Sequence, residues 1–272
     1  MDAFVKGPWH HYIIVETVDL ALFGGLSGSR RTVLEMEAIL PPSFHHLSRI
    51  PFVNNRSLWF SFKTGFMIGW QVQQLVKLQM AHELKEEGLL YCDSDVFFIR
   101  PFDVNSLMKD GQFYYYSTPA GFRRENAPNP TYLDAASQQL GMGDCAFPCP
   151  SYVENSVAWH GPTVRALCEH LEKLHQCDWR VTLGRKFILS EYSLYGLFVD
   201  RILHDKTQLK LFSESYCKTA WSTSDVNGLN LDTFCDTLAP PQVAVGFQSF
   251  LGVKESALEL QLQRAIKQNS WK

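Results

Sequence analysis

GWQVQQLVKLQMAHELKEEGLLYCDSDVFFIRPFD, residues 69–103, is the stretch that decides the fold. From Trp70 to Glu87 the apolar residues Val72, Leu75, Val76, Met80 and Leu84 fall on one stripe of a helix, and Gly88 stands as its C-terminal stop. Trp70, Gln73, Gln74 and Lys77 recur on another face, which is polar without being simply charged. Leu89 to Cys92 reads as a buried strand, Asp93-Ser94-Asp95 as its end, and Val96 to Ile99 as the next strand, from which Arg100-Pro101-Phe102-Asp103 turns away. A helix returning into an apolar strand is the repeating step of an α/β sheet, whose strand ends are where ligands bind.

The same alternation extends outward in both directions. HYIIVET, His11 to Thr17, is a β-branched block ending in a carboxylate, as a buried parallel strand would deliver an acid to its edge. A Gly/Ser loop spans Leu22 to Arg31, and TVLEMEAIL reads as a strand running into a helix that Pro41 and Pro42 stop. Ser43 to Met67 shows no clean period and is expected to be an irregular loop crossing the ligand face. Downstream, strands are expected at Phe113 to Ser117, Val153 to Trp159 and Val243 to Phe247, with a polar loop at TPAGFRRENAPNP. Helices are expected around Leu133 to Leu140, at Thr163 to Leu174, from a Ser190 cap to about Leu203, and from Glu255 to Lys267. The pattern predicts a single α/β layered domain, 1–272, with a mostly parallel sheet.

Composition narrows the class. Of the 272 residues 46 % are hydrophobic and 19 % charged, which excludes disorder and low-complexity architectures. Charges of 25 Lys+Arg and 28 Asp+Glu leave a net −3, so no global positive field draws the chain to nucleic acid. The seven cysteines form no CxxC pair, and their odd number favours reduced thiols in a cytoplasmic protein, with a Cys145–Cys149 bridge as the one alternative. No secretory leader is legible, and no run reaches the roughly 18 apolar residues that span a bilayer.

Asp93 and Asp95 repel one another at the mouth of an apolar strand unless protons or a cation intervene, and Mg²⁺ or Mn²⁺ would take such hard oxygens together with a ligand's phosphates. With the helix and strand before it, this DxD resembles the GT-A glycosyltransferases. The blocks GWQVQQLVKL, LLYCDSDVFFIRPFD and SEYSLYG, the last at Ser190 to Gly196, resemble a bacterial family of predicted GT-A proteins and, more loosely, the glycogenin-like transferases. The resemblance implies a Rossmann-like mixed sheet flanked by helices, with residues up to about 105 as a nucleotide-binding half and 106–272 as an acceptor-binding half. It further implies a Mn²⁺- or Mg²⁺-dependent transfer of sugar from a nucleotide-sugar donor to a glycan or lipid-linked acceptor.

Carried over by position, Asp95 is the expected direct metal ligand and Asp93 a metal or ribose contact. Lys77 matches the lysine that neutralises donor phosphate, its plainer reading being a solvated helix lysine. Trp70, Gln73, Gln74 and Ser94 are expected on the donor, and Glu16 and Thr17 at base or ribose, each with an ordinary surface or strand-end role as the alternative. Glu191, in the first turn of its helix, is the candidate general base for an inverting transfer, or else a simple N-terminal acid favoured by the helix dipole. Asn155, Trp159, Tyr192 and Tyr195 are candidate acceptor contacts, against packing roles for the aromatics.

Two departures from the resembled fold stand out. Met1 to Val5 reads as the end of a first helix, so either the usual first strand is lacking or another segment completes the sheet, and the tail after His204 offers no His as a third metal ligand. Two further readings remain open. One is a nucleotide- or carbohydrate-binding protein of the same fold without turnover; the other is a phosphatase-like hydrolase with DSDV as nucleophile motif.

Overall fold

The computed structural model describes residues 1–50, 56–123, 130–222, 225 and 231–269. The chain is mixed α/β, with short strands of both senses packed among helices. His11–Val15 and Arg31–Glu35 form the expected parallel pair. Elsewhere antiparallel pairing outnumbers parallel among the described residues, which corrects the mostly parallel sheet. The strand Gly88–Cys92 shows why. Its partner is Ser156–His160, running antiparallel with Cys92 opposite Ser156, and the long connection between them passes through other short strands and the Pro130–Gln139 helix, so the pair is not a parallel strand–helix–strand step. Val96–Phe98 then joins a different sheet, antiparallel to Ala244–Phe247, which in turn lies parallel to Cys217–Ala220. Asp93-Ser94-Asp95 is therefore the link between two sheets.

The helix of the deciding stretch spans Gly69–Glu83. It stops before the predicted Glu87, and Gly88 is not its cap. Leu84 is already extended, and the carbonyls of the connecting residues are captured from outside: Arg165 Nη1 donates to Leu84 O (3.1 Å) and Gly161 N–H to Glu87 O (2.8 Å). Gly88 serves packing, since a Cβ there would lie 2.5 Å from the Phe113 ring. The helix is buried nearly all round. Val72, Leu75, Val76 and Met80 face the core as predicted, and Gln71, Gln74 and Gln79 are buried as well. Burial of such amides requires partners. Gln71 supplies one at the helix start by accepting from Ile68 N–H at 3.0 Å.

Residues 43–50 and 56–67 are not an irregular loop, and 51–55, also covered by that expectation, lie outside the described residues. His45–Ile50, Arg56–Ser61 and Gly65–Ile68 make a three-stranded antiparallel meander. Its period was hidden because the inward positions are Ser57, Trp59 and Ser61 while Leu58 and Phe60 point outward. Part of TPAGFRRENAPNP is also strand: Thr118–Phe122 pairs with Cys149–Ser151, while residues 124–129 lie outside the described residues. Met1 to Val5 is a turn leading into the short strand Val5–Lys6, parallel to Phe102–Asp103, and not a helix end.

The other expected helices are found within a few residues, at Pro130–Gln139, Gly161–His175 and Glu255–Asn269, while the one expected to reach Leu203 is α-helical over Glu191–Leu197 and continues as a π-helical turn, Phe198–Ile202; Leu20–Phe23 and Trp179–Gly184 are helices that were not expected. The strand expected at Val153 starts later, at Ser156, and Leu231–Asp236 adds a short helix. One core draws on residues from Phe4 to Ala244, on both sides of residue 105, around Trp59, Trp159 and Trp179. A smaller one, with Phe234 and Phe247, lies against the C-terminal helix. None of the seven cysteines is in a disulfide, Cys145 and Cys149 included. Among the described residues no helix is long and apolar enough to cross a membrane.

Candidate functional site

A cleft of about 1530 Å³ opens between the Gly69–Glu83 helix, the end of Gly88–Cys92 and the start of Glu191–Leu197. Lys77 stands at its centre. Its Nζ donates to Glu191 Oε1 at 3.0 Å, to Tyr192 Oη at 2.9 Å and, at a longer 3.4 Å, to Asp93 Oδ1. The ammonium also sits 4.5 Å from the Tyr192 ring centroid. Burial opposes its charge, but Glu191, Tyr192 and Asp93 outweigh that cost and hold the Lys77 pKa above its ordinary value. Lys77 is thus no solvated helix lysine.

Each member of this group is placed by its own element. Ser190 caps the Glu191–Leu197 helix by accepting from Ser193 N–H, which puts Glu191 in the first turn, where the backbone dipole favours a negative charge. Gln74 Oε1 accepts from Glu191 N–H at 3.1 Å, docking that helix start onto the long helix. Tyr91 donates to Lys77 O at 2.7 Å, tying the strand to the same turn. The acidic turn is clamped as well: Asp93 N–H donates to Asn155 O, Val96 N–H to Asp93 O and Phe247 N–H to Asp95 O, each at 3.2 Å.

Asp95 carries the sharpest electrostatic signal. Its Oδ1 is buried and finds no hydrogen-bond donor. Burial, followed by the charge of Asp93, raises its carboxyl above the usual aspartate range. A buried carboxylate oxygen without a donor, one residue from a second carboxylate, is the donor set a hard divalent cation takes, with remaining positions left to ligand oxygens and water. The pair does not close a coordination shell, and among the described residues no group of three or more His, Cys, Asp and Glu does so.

Of the predicted residues, Trp70, Gln73, Gln74, Lys77, Asp93, Ser94, Asn155, Glu191 and Tyr192 line this one cleft. Others do not. Trp159 is fully buried between Tyr91 and Tyr195, and Tyr195, 3 % exposed, accepts from His160 N–H, so both are core residues and not an acceptor platform. Glu16 and Thr17 follow the strand His11–Val15 but stand outside the cleft lining, with Thr17 bonded to Glu35 and Glu37. Asn155 precedes the Ser156–His160 strand, and its Oδ1 accepts from Gln248 Nε2 at 3.1 Å.

One residue at the cleft carried no local signal. Glu154 is 8 % exposed and accepts from Asn155 N–H and Thr219 Oγ1, both at 2.8 Å. Burial nonetheless raises its carboxyl above the usual glutamate range. A lone acid in YVENS has no periodic partner, and only the fold sets Thr219 against it.

The class defined by fold and site is a mixed α/β protein with an acidic turn and a tethered lysine in one deep cleft. Residues 2–229 match the family model described as a family of unknown function (DUF6492), and the chain belongs to that family. No curated protein matches it at a significant level.

Proposed function

We propose that this chain is a metal-dependent glycosyltransferase, moving a sugar from a nucleoside-diphosphate-sugar donor to a glycan or lipid-linked acceptor in the cytoplasm. The observation that carries the reading is the meeting of Lys77 with Asp93 in one cleft, where Asp93 and Ser94 bring the start of the acidic turn to the cleft wall. Departure of a nucleoside diphosphate needs positive charge where negative charge develops. Asp93 and Asp95 would hold Mn²⁺ or Mg²⁺, which when bound supplies Lewis-acid stabilisation of that diphosphate.

Lys77 supplies the protein's own share of that charge. Its contact with Asp93 is the longest of the three, so it is the one a phosphate oxygen most readily replaces, while Glu191 and Tyr192 keep the ammonium aimed. Glu191 was the candidate base. Turned onto Lys77, it fits better as the residue that positions the lysine. Gln73, Ser94 and Trp70 offer exposed polar and aromatic contacts to the donor. Glu154, buried with a raised pKa, is the acid best suited to hold a proton at the cleft wall.

The test is a thermal-shift screen of nucleoside diphosphates with and without Mn²⁺, followed by hydrolysis of the matching sugar donor. A metal-dependent rise in melting temperature, and hydrolysis abolished in Asp95→Ala, are expected. If no nucleoside diphosphate stabilises the protein at millimolar concentration, the donor site does not exist. Stabilisation without turnover on any acceptor assigns the chain to the binding-only reading, and release of phosphate from a generic ester to the hydrolase reading.

A further inference from the structure

The strands Arg56–Ser61 and Gly65–Ile68 form a hairpin with two phenylalanines on its surface: Phe62, in the tight turn, is 91 % exposed and Phe66, on the second strand, 68 %, each with its ring against Phe60. A second loop, Arg185-Lys186-Phe187-Ile188, lies against it. Arg185 Nε donates to Lys63 O at 2.8 Å, and Gln71 Nε2 to Lys186 O at 2.7 Å, so both loops are pinned side by side at the start of the long helix. Phe187 there is 82 % exposed. Burying a phenylalanine is worth about 1.5–3 kcal/mol, so three of them held open on one hairpin and the loop pinned beside it point to something that covers them.

Charge says what kind of surface that is. From Ala38 to His82, 45 residues, the chain has no Asp or Glu, while Arg49, Arg56, Lys63 and Lys77 fall in it; 179–190 likewise has no acid and carries Arg180, Arg185 and Lys186. For a chain of net charge −3 this is a local inversion, to whose exposed charge Lys77, paired with Glu191 and Asp93, and Arg180, paired with Asp178, do not add. Lys63, Arg185 and Lys186 are exposed, and none is ion-paired with a carboxylate among the described residues. Aromatic tips flanked by long basic side chains match the interface of an anionic bilayer. The rings enter the boundary of headgroup and acyl chain, while Lys and Arg keep their charge at the phosphates.

We propose that this face docks the protein peripherally on an anionic membrane, with Phe62, Phe66 and Phe187 inserted and Lys63, Arg185 and Lys186 on the headgroups. The patch borders the cleft: Gln71 holds the second loop, and its neighbour Trp70 lines the cleft. A lipid-linked acceptor would enter from the bilayer beside it. That last clause rests on the glycosyl-transfer reading; the docking does not.

The test is cosedimentation of the full chain with phosphatidylcholine vesicles, with and without phosphatidylglycerol, at low and high salt and without nucleotide. Binding is expected on the anionic vesicles, weakened by salt. Phe62→Ser/Phe187→Ser and Lys63→Glu/Lys186→Glu should each lower it about tenfold with an unchanged circular dichroism spectrum, and Asp95→Asn should bind as wild type does. Equal or no binding to the two vesicle types, or folded double variants that bind normally, overturns the proposal. So does a concentration-dependent dimer lost in Phe62→Ser without vesicle binding, which gives the face to a second copy. Loss of donor binding with vesicle binding retained counts against glycosyl transfer alone.

Discussion

Lys77 Nζ and Glu191 Oε1 lie 3.0 Å apart across 114 residues of sequence, and the contact locks the long helix to the start of the Glu191–Leu197 helix. Glu191 is 4 % exposed, so removing the lysine leaves a buried charge unmatched. Lys77→Met and Glu191→Gln should each lower unfolding free energy by about 2–3 kcal/mol, at the low end for a buried pair because the lysine side chain keeps 23 % exposure. The double variant should lose about 1–2 kcal/mol less than the sum. Urea unfolding of the four proteins measures this, and strict additivity would show that the pair is not coupled.

Asp95 links stability to pH in the opposite sense to an ion-paired carboxylate. Its folded pKa is raised, so the folded state binds the proton more tightly; stability falls as pH rises from the ordinary aspartate value through the raised one and stays lowered above it. Asp95→Asn should therefore melt about 2 °C above wild type at neutral pH, and the gap should close at about pH 3. Added Mn²⁺ should raise the melting temperature of wild type only. A gap that persists in acid would show that the gain has another origin.

Gly196 sits on the helix that carries Glu191, and a Cβ there would fall 2.1 Å from the Tyr152 ring. That ring cannot easily retreat, because its hydroxyl donates to Asp200 at 2.6 Å, which also accepts from Tyr115 at 2.8 Å. Gly196→Ala should cost about 3 kcal/mol and displace Glu191 from Lys77. A variant of wild-type stability by chemical denaturation would contradict this packing.

Trp70 and Trp159 should behave as opposites. Trp70, 44 % exposed at the cleft, contacts Tyr132 edge-on; Trp70→Ala should change stability by no more than about 0.5 kcal/mol while weakening binding of the stabilising nucleotide about tenfold. Trp159→Phe should lose about 1–2 kcal/mol with affinity unchanged. Titration calorimetry on both variants decides the assignment, and the reverse pattern would exchange their roles.

Much of the site was legible because its signals are local. The apolar stripe of 72–80, the apolar strand into Asp93-Ser94-Asp95 and the Ser190 cap each need only a few neighbouring residues to be recognised. The meander at 45–68 was illegible because Ser57 and Ser61 point inward and Leu58 and Phe60 outward, reversing the polarity that marks a half-buried strand. Ser57 is accommodated only because its hydroxyl accepts from Trp59 Nε1 at 2.9 Å.

The sequence alone determined an α/β chain with a helix, a strand and a paired-acid turn in fixed order, since periodicity and turn chemistry act over a few residues. Tertiary structure decided which side chains share a cleft. It set Lys77 against Glu191, Thr219 against Glu154, and two phenylalanine-bearing loops beside one another. It also consigned Trp159 and Tyr195 to the core, because burial depends on what the rest of the chain brings to a residue and not on its own neighbours.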